Sequence, residues 1–303
     1  MDFTILLYHG VTDQRSSGIE NYSKKHINYK DFRDQMRWLH NYANVISMDE
    51  LVDMYHSKSR VPKKTVVVTF DDGFKNNYTV AAPILSEFKI KTTFYITSGM
   101  IGGEKPFWVD EIESCLNATE LNEITLSLGK RCKFKLGNLN NKIEDLEKIK
   151  IFCKNTDNHT KNKVLKDLKK ITKVNPTNKD CMNYQIMNWN DVRELSNDEQ
   201  FIIGGHSLSH EILTSLDKNE MRENIRRSIS DIELNIKKKV FHYSYPEGQE
   251  NHFNDDVINV LKNNNIICSP SAIHGKSNFK LGLFRLKRIM VGFNNIEFPK
   301  ELI

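Results

Sequence analysis

Short apolar runs rich in β-branched residues recur along the chain, and several end abruptly in polar chemistry. They cover residues 3–8, 65–70, 92–97, 201–203, 240–245, 266–268 and 284–291. In Val66-Val67-Val68 every residue is apolar rather than every second one, the pattern of a strand covered on both faces of a parallel sheet. Helical periodicity fills the intervals. Residues 29–42 set Phe32, Met36 and Leu39 on one face. Ser47-Met48-Asp49-Glu50 has the form of a capping box opening a helix through Tyr55, and Asp217-Lys218-Asn219-Glu220 opens a longer one to about Lys237. Residues 77–88 carry a helical pattern interrupted by Pro83, and 253–263 form a further helix ending in an Asn run. Strands alternating with helices predict an α/β fold with a parallel sheet, open or closed into a barrel.

Residues 101–185 break this rhythm. Gly102-Gly103 is followed by PFWVDEIE, a basic helical stretch at 143–174, and Pro176. The expected organisation is one domain over 1–303 carrying a basic helical insertion at 101–185. With 303 residues, 39% hydrophobic and 27% charged, the chain can bury a sizeable core, which excludes global disorder. There is no internal repeat.

Charge and cysteine usage narrow the picture further. Net charge is +5, but 129–180 holds 15 Lys or Arg against 6 Asp or Glu, a surplus of +9, so the remainder carries −4. Such a segment is either a solvated helical face or a surface for anionic partners. Five cysteines, widely spaced and without a CxxC pair, argue against a disulfide framework or a thiolate zinc site. The opening MDFTILLYHG has an acid at Asp2 and an apolar run ending at Tyr8-His9, so it reads as a first strand rather than a secretory signal. No stretch approaches the roughly 20 apolar residues of a membrane helix. The expected location is cytoplasmic, peripheral to the inner membrane if the basic insertion meets lipid.

Two motifs carry chemistry. In Thr69-Phe70-Asp71-Asp72-Gly73 an apolar run ends in two acids and a glycine. Parallel α/β folds gather their sites at strand C-termini, and a turn at Asp72 can bring both carboxylates to one pocket. Alone, the motif is equally a strand-ending turn. His206-Ser207-Leu208-Ser209-His210 follows another apolar run, and histidines at i and i+4 share one face of a helical turn. Two histidines with one carboxylate make an open zinc site. There the ion lowers the pKa of bound water to about 7 while a second carboxylate takes the proton.

Together TFDDG (69–73) and HSLSH (206–210) resemble the NodB-like polysaccharide deacetylases, carbohydrate esterase family four. LLYHGV at 6–11 is similar to that family's opening strand, 32–51 with Val45-Ile46-Ser47 to its first helices, and Thr92-Thr93-Phe94-Tyr95-Ile96 to the strand after TFDDG. The resemblance implies a distorted (β/α) barrel with about seven parallel strands. It implies that Asp71 is the general base and that Asp72, His206 and His210 hold one divalent ion, with zinc expected. It also implies hydrolysis of an N-acetyl group on an amino sugar of a glycan or glycan precursor, releasing acetate and a free amine, with backbone donors and the ion facing the oxyanion.

The chain departs from the family pattern in its third motif, Tyr243-Ser244-Tyr245-Pro246-Glu247-Gly248, where Ser244 replaces an arginine and Glu247 an aromatic. Arg288 is a candidate replacement partner for Asp71. Tyr245, Pro246, Glu247 and Gly248 are expected at the substrate, the backbone near Glu247 serving the oxyanion. His274 is placed for the general acid, with His9 as an alternative. Trp108 is expected either to stack on a sugar or to anchor the insertion. Tyr8, Tyr78 and Trp189 belong to core or pocket. The substrate is an N-acetylated amino sugar, phosphorylated or lipid-linked in the reading where the basic insertion faces a phosphate or membrane, and no nucleic acid is expected. Alternatives are a deacylase of formyl or another amide or ester, and a catalytically silent sugar or lipid binder.

Overall fold

In the computed structural model, which describes residues 2–303, the first apolar run folds as strand β1 (Thr4–Tyr8). Short strands β2 (Gly10–Thr12) and β3 (His26–Asn28) precede helix α1 (Tyr29–Tyr42). Then come β4 (Asn44–Val45), α2 (Met48–His56), β5 (Thr65–Phe70), α3 (Ala82–Glu87) and β6 (Thr92–Ile96). Next are α4 (Trp108–Ala118), β7 (Glu123–Leu128), β8 (Lys130–Lys135), α5 (Leu139–Lys154) and α6 (Asn158–Thr172). The chain ends through α7 (Trp189–Asn197), β9 (Phe201–Gly205), α8 (Lys218–Ile236), α9 (Asp255–Asn263) and β10 (Ile289–Met290). Two units separate: 2–13, 23–103 and 186–303 form one, and 14–22 with 104–185 form the other.

The first unit is a mostly parallel sheet wrapped by helices. Its strand order is β10-β1-β5-β6-β9, every pair parallel, with β4 joined to the start of β5. Single parallel bridges then add Tyr243 beside Gly205 and Cys268 beside His242. Ser269 and Ser271 donate their backbone N–H groups to the carbonyls of Leu283 and Leu286, leading back towards β10. Seven parallel positions therefore run around a distorted (β/α) barrel. The runs at 240–245, 266–268 and 284–291 yield less regular strand than their sequence predicts. Pro246 and Pro270 contribute to this, because proline removes ladder donors.

Register matters for function. Tyr8 pairs with Phe70 and Phe70 with Phe94, so β1 and β5 end level and β6 runs two residues further. Beneath that rim Phe3, Ile5, Met48, Leu51, Val67, Cys268 and Leu286 share one apolar cluster. Helix α2 is fixed by a reciprocal box between Ser47 and Glu50, and α8 by one between Asp217 and Glu220. Pro83 is accommodated because a π-helical turn, Asn77–Ala81, precedes it and places it in the first turn of α3, where its missing N–H costs nothing. Asn188 and Asp191 form a third box at α7, which the sequence pattern did not announce.

The second unit corrects the purely helical reading of the insertion. Ile124, Leu126 and Phe134 lie on one face of an antiparallel hairpin, β7–β8, closed at Gly129 with φ 73°. That face packs against Ile112, Cys115 and Leu116 of α4, Leu146 and Ile149 of α5, and Val164, Leu165 and Leu168 of α6. Ile19 joins the same cluster, and its N–H donates to Asn117 Oδ1 at 2.9 Å, so 14–22 belongs here as well. Among the described residues no helix is long and apolar enough to cross a membrane.

Candidate active site

Val67, Thr69 and Asp71 follow one another on one face of β5, since side chains alternate along a strand. Asp71 extends the ladder by one bond, its N–H donating to the Tyr8 carbonyl at 3.0 Å. There the chain turns: Asp72 has φ 79° and Gly73 φ 92°, so the second carboxylate swings beside the first instead of to the opposite face. Asp71 is gripped from two sides. Arg288 donates Nη1–H to Oδ1 at 2.8 Å and Nη2–H to Oδ2 at 2.7 Å, and the Ser244 hydroxyl donates to Oδ2 at 3.1 Å. The remaining guanidinium donors are used as well. Nε–H meets the Ser271 carbonyl at 2.7 Å, while Thr69 Oγ1 and Ser244 Oγ accept at 3.2 and 2.7 Å. Arg288 and Asp71 are both buried, so the pair is a desolvated, bidentate ion pair with its hydrogen bonds filled. Burial pushes the Asp71 carboxyl up, but the charges of Arg288 and His206 outweigh it and hold it below the ordinary range.

Asp72 faces the two histidines. Its Oδ1 lies 3.5 Å from His206 Nε2 and 3.3 Å from His210 Nε2. Among the described residues it is a buried carboxylate oxygen without a hydrogen-bond partner. One donor atom from each of Asp72, His206 and His210 falls within 4.8 Å of the others. His206 Nδ1–H donates to the Ser244 carbonyl at 2.8 Å, which fixes the tautomer and turns the Nε2 lone pair towards Asp72. An orphaned oxygen facing two imidazoles fits a divalent cation, which would replace the missing partner. Burial raises and the two imidazoles lower the Asp72 carboxyl, and the net is a pKa well below the ordinary value. His210 goes the other way: burial lowers it, Asp72 raises it more.

The histidine segment is a loop rather than the expected helical turn. Ser207 and His210 have φ of 66° and 61°, and the Ser207 hydroxyl accepts the His210 N–H at 2.8 Å. Tyr243 Oη accepts the Ser207 N–H and Asn224 Oδ1 the Leu208 N–H, which ties the first half of the loop to its surroundings. Gly204 and Gly205 are required by close approach. A Cβ there would come within 2.5 Å of the Tyr95 ring and 2.7 Å of the Tyr243 ring.

The other expected residues separate into three groups. Glu247, with φ 59°, is near enough for its charge to reach His210, and Gly248 turns the same loop with φ 54° beside buried Pro246. Tyr245 is a correction: its buried ring stacks on Phe253 at 4.2 Å and its hydroxyl donates to the Phe284 carbonyl, so its side chain belongs to the core. Trp108 packs on the apolar cluster of the second unit with Lys161 Nζ 5.6 Å from its ring centre, which corresponds to the anchoring alternative rather than to sugar stacking. Tyr8 is likewise core, stacked on Phe70 and bonded to Gln35. The Tyr78 hydroxyl donates to Glu194 between α3 and α7, where Trp189 opens α7 half-buried.

Two histidines competed for the proton-donor role. His274 is exposed and bridges Arg288 through its backbone. His9 follows β1 directly, one residue past the Tyr8 carbonyl that holds Asp71. Burial, with the charges of Lys25 and Arg288, holds its pKa below the ordinary imidazole value, and the charges of Asp72 and Asp71 offset only part of that shift. Its own carbonyl accepts from Asn77 Nδ2 at 2.7 Å, tying it to the π-helical turn. Of the two, His9 is the imidazole that the charges of both Asp71 and Asp72 reach. Ser244 stood out only as the residue in the arginine's place, and Ser271 and Asn77 had no separate signal in the sequence, because hydroxyls and amides near apolar runs are commonplace.

Comparison with known proteins agrees with this arrangement. The sequence pattern described as polysaccharide deacetylase matches residues 58–126 and 152–267, more than half of the chain. The poly-β-1,6-N-acetyl-D-glucosamine N-deacetylase of Staphylococcus aureus is 34% identical over 90 residues, 29% of this chain and 30% of that protein. The Bacillus subtilis protein YxkH is 30% identical over 99 residues, 32% of this chain and 33% of that one. The matched stretches thus span about a third of these relatives' lengths. Among solved structures, a Streptococcus pyogenes deacetylase in complex with acetate superposes with a TM-score of 0.63 at 15% identity, over 98% of this chain and 95% of that one. A de-N-acetylase from Aggregatibacter actinomycetemcomitans gives 0.62 at 20% identity over all of both chains. At such identities the likeness establishes the fold.

Proposed function

This chain belongs to the polysaccharide deacetylase family, and from that premise we propose that it hydrolyses the N-acetyl group of an amino sugar in a glycan. The observation that carries the reading is the buried, unpartnered Oδ1 of Asp72 facing His206 and His210, beside a second carboxylate held by Arg288. A divalent ion in that triad, zinc in our reading, would supply a Lewis acid for the acetyl carbonyl and acidify a water. Asp71 is the base. Arg288 keeps it ionised, and among the described residues its Oδ1 accepts only from Arg288 Nη1, which leaves a lone pair for the water's proton. His9 then gives a proton to the departing nitrogen, so that water and amide become acetate and a free amine. His206 is held by the Ser244 carbonyl, and Glu247 lines the approach on the His210 side. The substrate class follows from the Staphylococcus aureus relative's name: a chain of N-acetylated hexosamines.

The test is elemental analysis of the purified chain together with assays for acetate release from N-acetylglucosamine oligomers and formate release from their N-formyl counterparts. One divalent ion per chain is expected, with one acetate released per amine formed. Asp71→Asn should keep the metal and lose at least about 1,000-fold in kcat. His9→Gln should lose about 100- to 10,000-fold and His274→Gln little, the usual range for general acid catalysis. Formate in place of acetate, or an unaltered rate in Asp71→Asn, would overturn the reading.

A further inference from the structure

Helix α6 spends its lysines in two ways. Lys161 lies over the Trp108 ring, and Lys169 pairs with Glu111 at 2.8 Å, so both serve the interior of their own unit. Lys163, Lys166, Lys170 and Lys173 are all exposed, and among the described residues none is in an ion pair. At 100° per residue Lys163, Lys166 and Lys170 fall within about 60° of arc and about 10 Å of helix axis, and Lys173 follows as the left-handed C-cap residue of α6. The opposite face is the buried one, with Val164, Leu165, Leu168 and Thr172. Lysines at i, i+3 and i+4 repel, so the stripe works against the helix that carries it. The helix C-terminus excuses Lys170 and Lys173, which favour that end of the dipole, but not Lys163 and Lys166. Acids elsewhere in the second unit neutralise neighbouring lysines, as Glu123 does for Lys133, Asp145 for Lys148 and Glu147 for Lys150. Among the described residues no acid forms an ion pair with a lysine of the α6 stripe, not even Asp167, which stands four residues after Lys163 on the same helix.

We propose that this face of α6 docks on an anionic phospholipid surface. Charge complementarity carries the choice: three like charges on one solvent-facing helix face, with a fourth at its C-cap, meet a plane of phosphate headgroups together. The helix offers no Phe, Tyr or Trp for base stacking, and its one aromatic ring, the exposed imidazole of His159, is a single platform where single-stranded nucleic acid needs successive ones. Nor does it present an apolar stripe for insertion, because its apolar residues are the buried ones. Contact is therefore electrostatic adsorption that leaves the helix above the acyl chains. The proposal is independent of the reaction assigned above.

The experiment is co-sedimentation of the full chain with phosphatidylcholine vesicles and with vesicles that also contain phosphatidylglycerol. Binding is expected only in the second case, falling steeply as salt is added. The quadruple variant Lys163→Gln, Lys166→Gln, Lys170→Gln, Lys173→Gln should bind about 100- to 1,000-fold more weakly, since each basic residue near such a surface is worth roughly a factor of ten at most. Its thermal transition should stay at the wild-type value or rise, because like-charge repulsion is relieved. A charge-matched control on the hairpin, Lys130→Gln, Arg131→Gln, Lys133→Gln, Lys135→Gln, should change binding less than about 10-fold, as those side chains lie outside the stripe. Equal losses in both variants would reduce the effect to net charge and overturn the assignment. So would equal binding to neutral vesicles, or a polyphosphate or DNA duplex held more tightly than the anionic vesicles.

Discussion

Along β5, Val67 and Asp71 point to the same side of the strand but sit in opposite surroundings. Val67 belongs to an apolar plug with Phe3, Ile5, Met48, Leu51, Cys268 and Leu286. Asp71, two alternations on, is enclosed by Arg288, Ser244 and the histidine loop. Thr69 between them is the hinge of the change: its hydroxyl donates to the Leu6 carbonyl and accepts from Arg288. The plug needs only volume and apolarity, whereas the rim needs each donor matched to an acceptor. A buried charge left alone costs several kcal/mol, while a buried methyl group costs nothing electrostatically. The rim is therefore tolerable only because Arg288 is fully bonded, and any variant that breaks its pairing should show it.

Arg288→Met tests this at its most costly point. Removing one member of a buried pair should destabilise the fold by about 3–5 kcal/mol, read in urea or thermal unfolding. The activity signature is more specific. Burial raises the Asp71 carboxyl, and Arg288 is the first of the charges that pull it down. Without the guanidinium, Asp71 takes up its proton at higher pH, so the acid limb of kcat/KM should move upwards. Loss of rate with an unmoved limb would mean that Arg288 acts only on folding. Asp71→Asn combined with Arg288→Met should recover part of the stability, because the unpaired charge is gone.

A reciprocal exchange on the same strand tests the boundary with less violence. Val67→Thr is nearly isosteric but puts a hydroxyl into the plug, where the desolvation of an unsatisfied group should cost about 1–3 kcal/mol and leave kcat unchanged. Thr69→Val removes the hydroxyl that joins Leu6 to Arg288, a loss of about 1 kcal/mol, with a small fall in rate because Arg288 keeps its other acceptors. Equal effects of the two exchanges on stability and on rate would erase the distinction between plug and rim.

Physical locality decides how much of this was readable beforehand. Ser47 and Asp217 advertise their helices because a capping box closes within four residues. The β-rich runs advertise strands, and the family resemblance turned them into a barrel. Asp71, Asp72, His206 and His210 could be named because each motif follows an apolar run directly. Arg288 could only be guessed: 217 residues separate it from Asp71, and an arginine in a strand-like run looks the same whether it faces solvent or a carboxylate. Tyr245 was misplaced, and Trp108 left open, for a related reason, since an aromatic beside a motif has equal reason to fill a core. The hairpin at 123–135 was missed because Lys-rich β8 alternates charge with buried Phe134, and composition there overrode period. That the charges of Asp71 and Asp72 reach His9 depends on the pairing of β1 with β5, a tertiary fact.

Far from the rim, in the first turn of α2, lies the gentlest test of the comparison. Asp49 Oδ1 is 2.6 Å from Nε2 of buried His242, whose Nδ1 has no partner. The histidine contact holds the Asp49 carboxyl below its ordinary value against the opposing pull of burial. A carboxyl depressed in the folded state contributes stability that is complete above its unfolded pKa of about 3.9 and disappears as pH falls through the lower folded value. Asp49 is largely exposed, so its pair is worth only about 0.2–1 kcal/mol. Asp49→Asn should therefore lower the midpoint of thermal unfolding slightly at neutral pH, and the gap from wild type should close below about pH 4. The more strongly held carboxyls of Asp71 and Asp72 titrate in both proteins and cancel in the difference. A gap that persists undiminished into acid would show that Asp49 acts through helix capping geometry rather than through its charge on His242.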